Sequence, residues 1–287
     1  MTSEPELERT RRSFAQHVMR AASARNQRLE DAFATVRRED FVGDGPWPIF
    51  SGSGYALTPD DDPSHLYRDV LIGLVPERGL NNGQPSFHAA QLAKADPPLG
   101  AQIVHVGAGT GYYSAIMAEL TGPIGRVTAI EYDGALAAKA KANLAARANV
   151  EVLHGDGAEL CPPNAGLIYV NAGATGPAPA WLEALRDGGR LMLPLTAPMA
   201  LPEGSSIPRG WGGVVFFIER RGEEFAVFDK AFVAVIPGDG FRKPEEEALL
   251  TAAFENGRVR DVTRLVRHGD VPETDCWVRT PNWSLLY

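Results

Sequence analysis

The spacing of apolar and polar positions divides the chain into distinct regimes. Leu7, Phe14 and Val18 recur at intervals that suit one face of a helix, and Ser3 and Glu6 have capping-box spacing ahead of them. A second short helix is predicted around Asn26 to Arg37, with Leu29, Phe33 and Val36 on one side. The stretch GDGPWPIFSGSGYALTPDDDPS breaks all periodicity with Gly and Pro, and reads as a long ordered loop or lid. From residue 101 a regular alternation begins. QIVHVGAGTG is a short apolar run ending in glycines, YYSAIMAEL has helical spacing, GRVTAIEYD is a strand ending in an acid, and GALAAKAKANLAARA is an Ala-rich helix. VEVLHGDG, GLIYVNAGA, the helix APAWLEALRDGG and the strand RLMLPL follow. Such alternation specifies an α/β fold with a parallel sheet covered on both faces, whose ligand crevice lies beyond the carboxyl ends of the strands.

Farther on, WGGVVFFIERRGEEFAVFDKAFVAVIP reads as two or three antiparallel strands that complete the sheet, with ERRGEE as a hairpin turn. KPEEEALLTAAFENG reads as a helix with Gly257 near its end. CWVRTPNWSLLY is an aromatic tail, with Trp277, Trp283 and Tyr287 expected to pack over the sheet edge. The expected division is N-terminal helices and a loop over 1–98, the core sheet over 99–237 and a C-terminal helix and tail over 238–287, all in one compact unit.

Composition narrows the functions open to this fold. Hydrophobic residues at 44% and charged residues at 22% are ordinary for a globular protein, and no run approaches the ~18 apolar residues of a membrane span. The N-terminus has no apolar signal-peptide core. Cys161 and Cys276 stand far apart in dissimilar contexts, which argues against a disulfide framework and makes a reducing cytoplasm the default. A net charge of -8 argues against a nucleic-acid partner held through its phosphates. His17, His65, His154 and His268 have no spacing that suggests a metal, and none is expected. His105, inside a strand, reads as a core histidine, and DDDP at 60–63 as a solvated turn.

Three strand ends carry candidate chemistry. Gly107, Gly109 and Gly111 form G-A-G-T-G directly after the first strand, where bare backbone lets a ligand approach and the next helix begin tightly. Glu131 ends the second strand 24 residues after Gly107, a spacing that suits a carboxylate accepting hydrogen bonds from two ribose hydroxyls. Asp156 and Gly157 end the third, an acid and a backbone N–H suited to frame an adenine edge. A dinucleotide fingerprint wants Gly or Ala at its last position, and Tyr112 stands there. That favours S-adenosylmethionine over NAD. Asn171, ending the fourth strand in VNAGA, is a candidate for substrate contact or for turn formation.

VHVGAGTGYYSAIMAELTGPIGRVTAIEYD, VEVLHGDG, LIYVNAGA and LRDGGRLMLPL resemble the class I methyltransferase core of protein-L-isoaspartate O-methyltransferases. FATVRREDFVG is similar to that family's entry segment, and GLNNGQPSFHAA falls where the family carries a Ser-Gln-Pro type motif. The resemblance implies a Rossmann-like, mostly parallel, doubly wound sheet with antiparallel C-terminal strands and an N-terminal helical cap. It implies S-adenosyl-L-methionine as cofactor, and a carboxylate acceptor in a peptide or protein, such as an L-isoaspartyl residue. It places Asn82, Gly83 and Gln84 in the catalytic loop. Gln84 and Pro85 match the motif, and His88 matches a His found in some members, as a cofactor or substrate contact or a helix-packing residue. Gly83 stands where the family has Ser, so Asn82, Gln84 or a backbone N–H would replace the hydroxyl that holds the accepting carboxylate. Gly83→Ser should raise isoaspartyl activity, provided the backbone there does not require positive φ. Two rivals remain beside this expectation. One is a cofactor-binding module that has lost turnover; the other is a small-molecule O-methyltransferase, for which the sequence shows no clear base or metal.

Overall fold

A computed structural model describes residues 2–52, 54–198, 211–235, 237–267 and 271–287. His268 lies outside them. The elements run α1 (Glu4–Ala21), α2 (Gln27–Thr35), β1 (Pro48–Phe50), β2 (Tyr55–Leu57), β3 (Gly73–Val75), β4 (Leu80–Asn81), α3 (Pro85–Ala95), β5 (Gln102–Val106), α4 (Tyr112–Thr121), β6 (Arg126–Glu131), α5 (Gly134–Asn143) and β7 (Val150–His154). They continue as β8 (Ala165–Val170), α6 (Pro179–Ala184), β9 (Leu185–Pro198), β10 (Trp211–Arg221), β11 (Glu224–Val233), α7 (Pro244–Glu255), β12 (Arg264–Arg267), β13 (Cys276–Arg279) and β14 (Trp283–Leu286). Two compact units share them: Met1–Gln102 with Ala108–His154, and Ile103–Gly107 with Gly155–Tyr287.

In the first unit, the carboxylate of Glu6 accepts from Ser3 N at 3.0 Å and Ser3 Oγ at 2.6 Å, fixing the start of α1. Its buried face carries Leu7, Phe14 and Val18. Asn26 caps α2 through Oδ1, which accepts from Leu29 N at 3.1 Å, and Phe33 meets the edge of Phe14. The Gly/Pro-rich stretch after α2 is more ordered than a loop: β1 and β2 pair as an antiparallel hairpin, and Trp47, Ile49, Leu66 and Ile72 form a small core beneath it. Strands of three residues are too short for an alternation to register in the sequence. The Asp60–Asp62 turn is likewise more than solvated surface, because Asp62 accepts from Thr2 N at 2.5 Å and Ser64 N at 2.9 Å, with Ser64's hydrogen bonds first among the causes that hold its carboxyl below the usual range. β6 and β7 pair in parallel from Val127↔Val150 to Glu131↔His154.

The second unit orders its strands β13-β14-β12-β11-β10-β9-β8-β5. β5, β8 and β9 are parallel, whereas β10 onward are antiparallel. Gly222, with φ 62°, turns the β10–β11 hairpin as ERRGEE implied. Two expectations change. The helix read across APAWLEALRDGG stops at Ala184, and β9 begins at Leu185: the register passes from Ala165↔Leu185 to Leu167↔Arg190, so residues 186–189 bulge out. The aromatic tail does not fold over an edge but adds β14 and β13 in the plane of the sheet, beyond β12. Trp277 and Trp283 are buried there, and Trp277 packs against Phe216 and Phe254. Among the described residues, no helix is long and apolar enough to cross a membrane.

Candidate active site

The loop between β4 and α3 is held by its own polar groups. Asn82 N donates to Ile72 O at 2.8 Å, and Gly83 N donates to Asn81 Oδ1 at 2.8 Å. Asp69 then gathers the start of α3: it accepts from Gln84 Nε2 at 3.0 Å, Ser86 N at 2.8 Å and Ser86 Oγ at 2.6 Å. This carboxylate therefore caps α3 from outside it, next to the helix's free N–H groups. His88, 1% exposed, stacks on Tyr113 with ring centroids 3.6 Å apart and planes at 22°. Tyr113 Oη donates to Gly83 O at 3.2 Å, so the loop is tied to the first turn of α4. Asn82 is 6% exposed, and its Nδ2 has no hydrogen-bond partner among the described residues.

Gly83 departs from the expectation placed on it. Its φ is 66°, and a Cβ there would lie 2.2 Å from His88 Nε2. A serine at this position would strain the backbone and collide with a buried ring. The bare Cα is part of how His88 fits, and a gain from Gly83→Ser is no longer expected.

In the same unit, the glycine turn closes on Glu131. Gly109 N donates to Oε2 at 2.6 Å, and Asp133 N donates to Oε1 at 3.0 Å. Glu131 is 8% exposed. Burial raises its pKa from the ordinary glutamate value, against the lowering effect of the hydrogen bonds from Asp133 and Gly109. Each carboxylate oxygen keeps lone-pair capacity beyond the bond it already accepts. Thr110 Oγ1 is buried without a hydrogen-bond partner among the described residues. Gly111 has a packing reason for its missing side chain: a Cβ would meet Leu144 Cδ1 at 2.6 Å. Asp133 caps α5 through Ala135 N and Leu136 N and pairs with Arg78 at 2.5 Å.

The second unit holds Gly107, Asp156, Gly157 and Asn171. Asn171 N donates to Val106 O at 2.8 Å and its Nδ2 to Gly107 O at 3.4 Å, so this side chain spans two strand ends. A Cβ on Gly157 would fall 2.4 Å from Val106 Cγ1, and Gly157 O accepts from the buried Trp181 Nε1 at 2.7 Å. Asp156 Oδ1 accepts from Ala158 N at 2.8 Å. His105 is fully buried, edge-on to Tyr169, and desolvation pushes its pKa down to about 3, which keeps it neutral in the core.

Sequence reasoning missed Asp69 and Tyr113. Tyr113 had a signal in its place just after the glycine turn; Asp69 acts on residues 15 and 17 positions away, and nothing local marks it.

The glycine turn on a buried strand-end acid, followed by a helix opening with a bulky aromatic, defines a class I S-adenosylmethionine-dependent methyltransferase. The family model of Protein-L-isoaspartate(D-aspartate) O-methyltransferase matches residues 12–200. A protein-L-isoaspartate O-methyltransferase of Methanopyrus kandleri is 30% identical over 242 residues, covering 83% of this chain and 96% of that protein. The chain belongs to the protein-L-isoaspartate (D-aspartate) O-methyltransferase family. Solved structures share the fold: one protein-L-isoaspartate O-methyltransferase has a TM-score of 0.62 at 21% identity, covering 85% of this chain and 69% of its own. Another, from Plasmodium falciparum and described as a complex with S-adenosyl-L-homocysteine, has a TM-score of 0.57 at 16% identity, covering 79% and 97%.

Proposed function

We propose that this methyltransferase esterifies the side-chain carboxylate of an L-isoaspartyl residue in a protein or peptide, in the cytoplasm, where its two cysteines are free thiols. The observation that carries the reading is the Tyr113–Gly83 hydrogen bond, with His88 stacked beside it. It joins the loop assigned to the acceptor and the turn assigned to the cofactor.

The residues fit the cofactor. Glu131 keeps a lone pair on each oxygen for a ribose hydroxyl, Gly107 and Gly109 leave the turn bare, and Asp156 with Gly157 offers an acceptor and a donor to the adenine edge. Gly111 supports the turn through packing. When bound, S-adenosylmethionine would supply an electrophilic methyl on a sulfonium sulfur for transfer to a carboxylate oxygen, leaving S-adenosylhomocysteine. An acceptor carboxylate with a pKa of about 4 is already ionised at neutral pH, so no side chain has to remove a proton. The chain's contribution is orientation and exclusion of water, and orientation is worth up to ~7 to 11 kcal/mol of barrier.

Of the loop donors weighed for the acceptor, Gly83 N is held by Asn81, and one N–H of Gln84 Nε2 is held by Asp69. Asn82 Nδ2 is buried without a hydrogen-bond partner among the described residues, a state that costs about 1 to 3 kcal/mol until an oxygen arrives. On this reading Asn82 is the donor to the accepting carboxylate, and Gln84 and His88 position the loop.

The test is transfer of labelled methyl from the cofactor to an isoaspartyl peptide and to the same peptide with normal aspartate. Base-labile label on the isoaspartyl peptide alone is the expected result. S-adenosylhomocysteine binding by calorimetry with no label on either peptide would leave a binding module, and label on small hydroxyl compounds instead would move the activity to metabolites.

A further inference from the structure

Residues 237–242 lie beyond the stretch that the family model matches, yet they border the strand ends of the second unit. Pro237 pairs with Gly173 in a parallel bridge, and Gly238 N donates to Gly173 O at 2.9 Å. Arg242 pins the far end: Nη1 donates to Gly173 O at 2.9 Å and Thr196 Oγ1 at 3.0 Å, and Nη2 to Thr196 O at 3.0 Å and Glu247 Oε2 at 2.6 Å. Phe241 sets its ring edge-on to Trp181 at 5.4 Å, and Trp181 Nε1 donates to Gly157 O. Between these anchors is Gly240, with φ 93°. A Cβ there would stand 2.7 Å from Asp156 Oδ2, 3.0 Å from Cγ and 3.1 Å from Oδ1. The main chain of the segment therefore rests directly on the Asp156 carboxylate.

We infer that this C-terminal segment is one wall of the adenine site, and that Gly240 is a positioning residue that sets the Asp156 carboxylate to accept from the purine 6-amino group. The inference rests on the proposed placement of the adenine edge at Asp156. Ala158 N holds Oδ1, and the bare Cα of Gly240 bounds Oδ2, so the carboxylate plane is fixed from both sides. A methyl at position 240 would turn it. Selection of a 6-amino over a 6-oxo purine is then determined partly by a residue outside the matched core. Losing one hydrogen bond to a charged acceptor corresponds to roughly a tenfold to hundredfold change in affinity.

The experiment is calorimetry on the full chain with S-adenosylhomocysteine and its 6-oxo analogue S-inosylhomocysteine. Wild type should prefer the adenosyl compound by about tenfold or more. Gly240→Ala should weaken adenosyl binding about fivefold or more and leave inosyl binding within about twofold, shrinking the preference. Gly222→Ala is the control, since it carries a similar positive-φ strain with open space around its Cβ and should keep the wild-type preference. Arg242→Gln loosens the segment without adding an atom beside Asp156; if Gly240→Ala does not fold, it should still shrink the preference. An unchanged preference in both Gly240→Ala and Arg242→Gln overturns the inference alone. Equal binding of the two compounds by wild type, or no binding of either, overturns the adenine placement and the inference with it.

Discussion

At the scale of single residues, the proposed site sets one buried donor, partnerless among the described residues, beside groups whose partners are already fixed. Asn82→Ala removes that buried loop donor and should lower kcat/KM for an isoaspartyl peptide by about ten- to a hundredfold. S-adenosylhomocysteine affinity should stay within about twofold, because the loss falls on the acceptor; an equal loss in both measurements would place Asn82 in the cofactor site. Gly83→Ser tests the neighbouring position from the other side. The positive φ costs about 1 kcal/mol for a residue with a Cβ, and overpacking against His88 adds roughly 1 to 3 kcal/mol, so the variant should have a lower urea midpoint and less activity. Higher activity would show that His88 moves aside easily. Glu131 provides a pH signature. Its folded pKa is raised, so its ionised form is penalised in the native state; that contribution favours stability at low pH and is lost as pH rises from the ordinary glutamate value through the raised one. If Glu131 holds the ribose as proposed, cofactor binding has the opposite sign, because two ribose hydroxyls need the ionised acid. Affinity for S-adenosylhomocysteine should fall as pH drops through that raised value. Glu131→Gln should bind about tenfold or more weakly at neutral pH and show a flatter profile, and calorimetry across the acidic range checks both. An unaltered slope in the variant would assign the titration to another group.

At the scale of elements, α3 depends on a cap from another part of the chain. Asp69→Ala removes three accepted hydrogen bonds at the helix start and should cost about 0.5 to 2 kcal/mol in urea unfolding. With Gln84 released, the loop loses its anchor, so kcat/KM should drop while kinetic partition into cofactor affinity stays small. A variant with full activity and lower stability would make Asp69 a cap and nothing more. The same element shows where legibility ends. β5, β6 and β8 were readable because near-continuous apolar runs closing on glycines or an acid are what buried parallel strands require. α1 was readable from its capping-box spacing, and both α1 and α2 from their spaced apolar positions. The β1–β2 hairpin was hidden because its pairing partners are three residues long, and Asp69 because its capping is tertiary. The bulge at 186–189 was hidden for a related reason: DGG is a helix-stop signal in the sequence, whereas β8 takes up the chain from Leu185. In the proposed site, spacing singled out Glu131 and the glycine turn, whose hydrogen bond from Gly109 N to Glu131 the structure shows, but the reason for Gly83 was not legible, since it lies in the ring of His88.

At the scale of the whole molecule, charge decides which acceptors arrive fastest. A net charge of -8 surrounds the chain with a negative potential, which repels anionic partners and attracts cationic ones over distances that salt controls. The Debye length shrinks from about 30 Å at 0.01 M to about 8 Å at 0.15 M, so long-range attraction is largely gone at the higher concentration. An isoaspartyl peptide flanked by lysines should therefore lose kcat/KM several-fold across that range, while one flanked by glutamates should gain or hold steady. The effect belongs to encounter and not to chemistry, so kcat at saturating peptide should not change with salt for either sequence. Steady-state assays with the two peptides in matched buffers separate these terms. If both peptides respond to salt alike, the net charge does not steer the acceptor, and local groups around the bound peptide govern peptide choice instead.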